Sequence, residues 1–240
     1  MNYLVSVIIP THNRSALLRR AVNSVLAQDY RDIEIVIVDD HSSDDTFEVV
    51  EELRDNCDIP VRFIQLQDKH GASAARNAGI HAARGQFVCG LDDDDEFYPQ
   101  RISMLMAAYR EEYAFVFSGY TFVESGRTFA VLQKKKEYGL QDILGINRIG
   151  NQILTAREKL LSVGGYDENL PSAQDYDLWI RLLAKFGKAS YVCVPLYTVY
   201  FHEGATITKS KKRFNGYFSC YKKHKSLMNR EQRKQLRNAS

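Results

Sequence analysis

Cysteine is scarce and scattered. Cys57, Cys89, Cys193 and Cys220 form no CxxC pair, so they suggest neither a zinc site nor a disulfide framework, and a reducing cytosol suits them best. Long apolar runs are absent too. No stretch approaches the roughly 20 residues a membrane span needs, and the chain is not expected to cross a bilayer. No basic segment precedes an apolar one at the start; MNYLVSVIIPTHNR reads directly as a first strand, and a secretory leader is not expected. Nor does a glycine-rich loop follow that strand. Thr11-His12-Asn13-Arg14 contains no glycine, which tells against a dinucleotide oxidoreductase with a GxGxxG turn and against a sugar nucleotidylyltransferase with a basic, Gly-rich phosphate loop. Internal repeats and low-complexity linkers are also missing, so one domain with an appended segment is expected.

What is present is an ordinary globular composition, 45% hydrophobic and 26% charged, on a chain of 240 residues, enough for one sizeable core. The net charge of +2 hides an asymmetry. Residues 209–240 hold eleven Lys/Arg against one acid, Glu231, which leaves the preceding 208 residues near −8. An acidic body argues against nucleic acid as the main partner. The basic segment, with Phe214, Tyr217, Phe218 and Tyr221 interleaved, has two readings: a tail lying on anionic lipid, or a solvated helical end whose aromatics dock on the body.

The first half alternates strand and helix. Apolar runs at Val5–Ile9, Ile33–Val38, Val61–Leu66 and Phe87–Leu91 read as strands. Between them lie helical patterns opened by Ser15 and Ser43 and an alanine-rich helix at Ala72–Ala83. Strands apolar on both faces and separated by helices imply a parallel sheet covered on both sides, with ligands at the carboxyl ends of the strands. The second half is less regular. A helix is expected from Pro99 to Tyr109, strands at Phe115–Glu124 and Thr128–Leu132, a helix at Asp175–Phe186, and one or two strands over Ala189–Phe201 interrupted by Pro195.

The carboxyl-end rule selects the candidate residues. Asp92-Asp93-Asp94-Asp95-Glu96 follows an apolar run directly; such a cluster either holds an oxygen-loving Mg²⁺ or Mn²⁺ or is a solvated acidic turn before the next helix. Asp39-Asp40 also ends a strand, where a carboxylate accepts from a ribose or base, though helix capping is the plain alternative. Arg76 sits amid alanines, free to reach a phosphate or to form a surface ion pair. In Gln174-Asp175-Tyr176-Asp177 one aspartate is a candidate general base while the other caps, or both cap. His202, ending an apolar strand, is structural unless the fold brings it to the aspartates.

Taken in order, these stretches resemble the family 2 glycosyltransferases, which have the GT-A fold. The matching pieces are Val5–Arg14, Ile35–Thr46, Gly71–Gly79, Leu91–Asp95, Gly164-Gly165-Tyr166-Asp167 and Gln174–Trp179, together spanning about residues 3–208. The resemblance implies an α/β fold with a Rossmann-like, mostly parallel central sheet flanked by helices. A glycosyltransferase domain would span 1–208, with a nucleotide-sugar half at 1–98 and an acceptor half at 99–208, followed by a basic tail at 209–240. It implies that Thr11, Asn13 and Asp39 contact base and ribose, that Arg76 lies near ribose or diphosphate, and that Asp92 or Asp93 lies near the ribose. It further implies that Asp94 and His202 bind Mn²⁺ or Mg²⁺ and that Asp175 is the catalytic base. The implied activity is single, inverting transfer of a sugar from a nucleotide-diphosphate donor, a UDP-sugar first, to a hydroxyl acceptor. The implied setting is bacterial surface polysaccharide synthesis on a saccharide or lipid-linked acceptor, in the cytoplasm or at the inner face of its membrane. A catalytically silent nucleotide-sugar-binding scaffold is the alternative. Two positions depart from the family pattern: Gln174 stands where a Glu is usual, and Tyr200 where many relatives carry Arg. The QxxRW motif of processive synthases is absent.

Overall fold

The computed structural model describes residues 3–201 and 211–238. Its first half is built from β1 (Val5–Thr11), α1 (Ser15–Leu26), β2 (Ile33–Asp39), α2 (Thr46–Asp55), β3 (Val61–Gln65), α3 (Ala72–Ala82) and β4 (Phe87–Gly90). All four strands run parallel, and β1 lies between β2 and β4. Every residue of β1 and β2 is buried, as expected for strands covered on both faces. Val5, Val7 and Ile9 face one core with α1 and α2, while Ile8, Val36 and Val38 face a second core with α3.

The second half continues the same sheet. It contains β5 (Glu96–Phe97), α4 (Arg101–Ala108), β6 (Tyr113–Glu124), β7 (Arg127–Val131), β8 (Glu137–Gly139), α5 (Leu140–Ile143), β9 (Leu154–Ala156), α6 (Arg157–Ser162), α7 (Gln174–Phe186) and β10 (Lys188–Tyr200). The spatial order is β3-β2-β1-β4-β9-β6-β10-β5, with β7 on β6 and β8 on β10. The strand β10 is single and long. Pro195 is accommodated at shifts in its register with β6, where a missing N–H breaks no regular ladder.

The segment read as a basic tail is helical and docked. Helices α8 (Lys211–His224) and α9 (Arg230–Asn238) and the turn between them bury Cys220, Leu236 and Met228 respectively in the core that holds Trp179, with Tyr217 and Tyr221 packed against it. Phe214 and Phe218 stay exposed and stack on each other. The docking reading therefore describes one stripe of aromatics, and the lipid reading has only the other to rest on. Among the described residues no helix is long and apolar enough to cross a membrane.

Candidate active site

The register Thr11↔Asp39 between β1 and β2 and Ile8↔Gly90 between β1 and β4 sets three strand ends side by side. At that edge Thr11 Oγ1 donates to Asp93 Oδ2 at 2.9 Å. Arg14, just beyond β1, donates from Nη1 to Asp93 Oδ1 at 3.1 Å and to Asp94 Oδ2 at 2.9 Å. Arg76, on the first turns of α3, donates to Asp92 Oδ1 at 2.7 Å. The helix approaches β1 closely because Gly79 faces Ile8, where a Cβ would collide with the isoleucine side chain. Small residues along α3 thus seat Arg76 against the strand ends.

The acidic run is divided by its surroundings. Asp94 is the more open side chain, while Asp93 is nearly buried. Burial pushes the Asp93 carboxyl up to about 6 although Arg14 opposes the shift. Asp95 turns inward, accepting from the Tyr197 hydroxyl at 2.8 Å and the Tyr200 amide at 3.1 Å; burial, with Asp92 and Asp94 nearby, pushes its carboxyl up too. Asp92 is held from the other side by Gln152 Nε2 at 2.8 Å. Gln152 fits because residue 90 is glycine: a Cβ there would overlap its amide.

Asp39 and Asn13 stand differently. Asp39 is 1% exposed, accepting the Ser42 amide at 3.0 Å and Gln65 Nε2 at 3.0 Å, so a nucleotide reaches its carboxylate only if Gln65 gives way. Asn13 has a left-handed φ of 53° and accepts the Ser43 amide at 2.7 Å, joining the β1 and β2 turns. Asp40 accepts the amides of His70 and Gly71 and shapes the entry to α3.

Asp175 lies in the first turn of α7 and accepts from Asn147 Nδ2 at 3.2 Å. Burial pushes its carboxyl up to about 6; helix-start amides and Arg76 pull it down, and Asp92 pushes it up further. Arg76 and Asp92 are therefore electrostatic neighbours of Asp175, and the two halves of the chain meet here. Asp177 points away, 0% exposed, so the pair does diverge along the helix. His202 lies outside the described residues. At the second departure the Tyr200 hydroxyl donates to Glu96 at 2.8 Å and the Arg20 guanidinium lies 3.9 Å over its ring, so a cation from α1 occupies this corner.

Sequence reading missed Arg14, Asn147, Gln152 and Tyr197. They lie outside periodic elements or on the far strand, and their partners stand 28 to 105 residues away in the chain. Asp177, Cys220 and His224 also sit within 4.8 Å of one another, a set of potential metal ligands. Arg181 and Lys223 already bond the Asp177 carboxylate at 2.7 and 2.9 Å, so this cluster is a charge-satisfied clamp between α7 and α8. The strand-end aspartates, by contrast, offer only oxygen, and a side-chain cation already bridges two of them, a donor set that suits a hard divalent ion.

Comparison with known proteins fits this geometry. A family model described as Glycosyl transferase family 2 matches residues 6–166, and one described as Glycosyltransferase like family 2 matches 115–232. A protein of Escherichia coli named as a colanic acid biosynthesis glycosyl transferase, WcaA, is 34% identical over 242 residues, covering 97% of this chain and 85% of that protein. The GalNAc(5)-diNAcBac-PP-undecaprenol beta-1,3-glucosyltransferase of Campylobacter jejuni is 31% identical over 230 residues, covering 94% and 74%. Among solved structures, S. aureus TarS 1–349 in complex with UDP-GlcNAc superposes with a TM-score of 0.78 at 22% identity, over 98% of this chain and 70% of that one.

Proposed function

The chain belongs to glycosyl transferase family 2, and from that premise we propose that it transfers a sugar, with inversion, from a UDP-sugar to a hydroxyl of a lipid-linked saccharide. The observation that carries this reading is Asp175. A partly buried carboxyl in the first turn of α7, with a raised pKa and with Arg76 and Asp92 as electrostatic neighbours, supports the reading of a general base. The acceptor comes from the Campylobacter relative, named for a PP-undecaprenol substrate, and the donor from the UDP-GlcNAc complex of TarS.

Asp175 takes the proton of the acceptor hydroxyl as its oxygen bonds to the anomeric carbon. The bond from that carbon to the diphosphate oxygen breaks, and the electron pair leaves with the nucleoside diphosphate. Arg76 orients Asp92 and lends positive charge beside the diphosphate. Thr11 acts through Asp93, and Asn13 with Asp39 frames the base and ribose. Asp94, with Asp92 and Asp93 beside it, would hold Mn²⁺ or Mg²⁺, which supplies Lewis-acid neutralisation of the leaving diphosphate when bound. The exposed Phe214 and Phe218 would rest on the lipid surface that carries the acceptor.

The test is donor turnover. Purified protein with a panel of nucleotide sugars and Mn²⁺ is expected to release nucleoside diphosphate slowly from one donor, and EDTA to suppress release at least about tenfold. Donor binding without release, even with acceptor mixtures, would instead identify a silent nucleotide-sugar-binding scaffold. Gly90→Ala supplies a finer check. The methyl displaces the Gln152 amide, a flexible side-chain end, so stability should fall by less than about 1.5 kcal/mol. Asp92 loses a charge-assisted hydrogen bond, and turnover should fall about tenfold, as it should in Gln152→Ala.

A further inference from the structure

A cation of the chain's own already sits on the strand-end aspartates. Arg14 Nη1 reaches one oxygen of Asp93 and one of Asp94, at 3.1 and 2.9 Å. Half of its side-chain surface is exposed, so packing does not fix the guanidinium; the carboxylates do. A guanidinium keeps its proton at every working pH, so this counter-charge can be removed only by movement. A divalent ion held by this pair would lie against the guanidinium, and the repulsion between two cations at that range sets them in competition for the carboxylates. A diphosphate, however, offers the displaced fork new oxygens of matching geometry.

The geometry points to Arg14 as a built-in counter-ion that makes metal loading depend on the donor. Its guanidinium holds the Asp93–Asp94 pair when nucleotide is absent and passes to the diphosphate when metal and donor arrive together. The inference rests on reading that pair as the metal and diphosphate site. Because coupling is reciprocal, metal and nucleotide each tighten the other, and Arg14 supplies part of that coupling.

The experiment titrates Mn²⁺ into the full chain and follows free Mn²⁺ by electron paramagnetic resonance, with and without UDP. Arg14→Met should bind nucleotide-free Mn²⁺ roughly tenfold more tightly than wild type, the order expected when a unit charge beside the ion is removed at a partly exposed site. The tightening produced by UDP should shrink in the same variant. Arg14→Lys keeps the charge and should stay near wild type without nucleotide. If Arg14→Met binds nucleotide-free Mn²⁺ no more tightly, or if Arg14→Lys behaves like it, the counter-ion role is overturned. Asp94→Asn separates the two levels of the claim. It should weaken Mn²⁺ binding; if it does not, the metal-site reading itself fails.

Discussion

Asp175→Asn is expected to lower turnover by about 10² to 10⁴-fold while leaving donor binding nearly unchanged. The asparagine is isosteric and its oxygen can still accept from Asn147, so the first turn of α7 keeps its shape. What disappears is the proton acceptor. The raised pKa fixes the pH dependence. Asp175 must be deprotonated to act, so kcat/KM should rise with pH through about 6 and level off above it, and any residual activity of Asp175→Asn should lack that acid limb. Nucleotide binding followed by calorimetry, beside turnover measured from pH 5 to 8, checks both parts. Near-normal turnover in the variant would move the base to another residue.

The position of Asp175 at the start of a helix was readable because the apolar spacing of α7 is local, whereas its partners Asn147, Arg76 and Asp92 lie 28 or more residues away. The strand-end aspartates were legible because apolar runs stop at Thr11, Asp39 and Asp92, and a parallel sheet brings such ends together. The strands β5, β8 and β9 were not legible. At two or three residues each, they are held by pairing partners far away in the chain and have no period of their own. The expected helix from Pro99 begins at Arg101, because Pro99 and Gln100 form the turn before it. Gln152 and Asn147 lie in an irregular stretch, where no spacing rule connects them to Asp92 and Asp175.

The C-terminal segment is a different case. Tyr217, Cys220, Tyr221 and His224 fall at i, i+3, i+4 and i+7, the spacing of one helix face, and they pack inward together with Met228 in the turn that follows. The eleven basic residues around them drew the reading towards a tail. The count of basic residues concealed this stripe, and the stripe decided where the helices sit.

That docking predicts the largest effect on stability. Asp177→Ala is expected to cost about 3–5 kcal/mol, because it removes the buried carboxylate that Arg181, Lys223 and His224 share; Lys223 keeps Asp167 at 2.6 Å, but Arg181 loses its carboxylate partner and His224 its acceptor. Thermal unfolding should drop by roughly 10 °C in a chain of this length. Arg181 also donates to the carbonyls of Val163 and Gly165 at 2.7 Å each, so the loss spreads from α8 to the loop before α7. Burial alone would raise the Asp177 carboxyl, but His224, Arg181 and Lys223 overbalance it and hold it down at about 2. The sign of the linkage follows. With a folded pKa of about 2 against an ordinary value near 3.9, the stabilisation is fully present above about pH 4 and is lost as pH falls towards 2. Denaturant midpoints should therefore fall in that window for wild type, and the gap to Asp177→Asn should narrow. A gap that stays constant from pH 5 to 2 would refute the clamp. Asp93 and Asp175 run the opposite way: raised to about 6, they favour the folded state below about pH 4 and lose that contribution as pH rises through 6. Two residues apart on one helix, Asp175 is kept uncomfortable and Asp177 fully satisfied, and the second fixes the turn on which the first must hold its proton-accepting position.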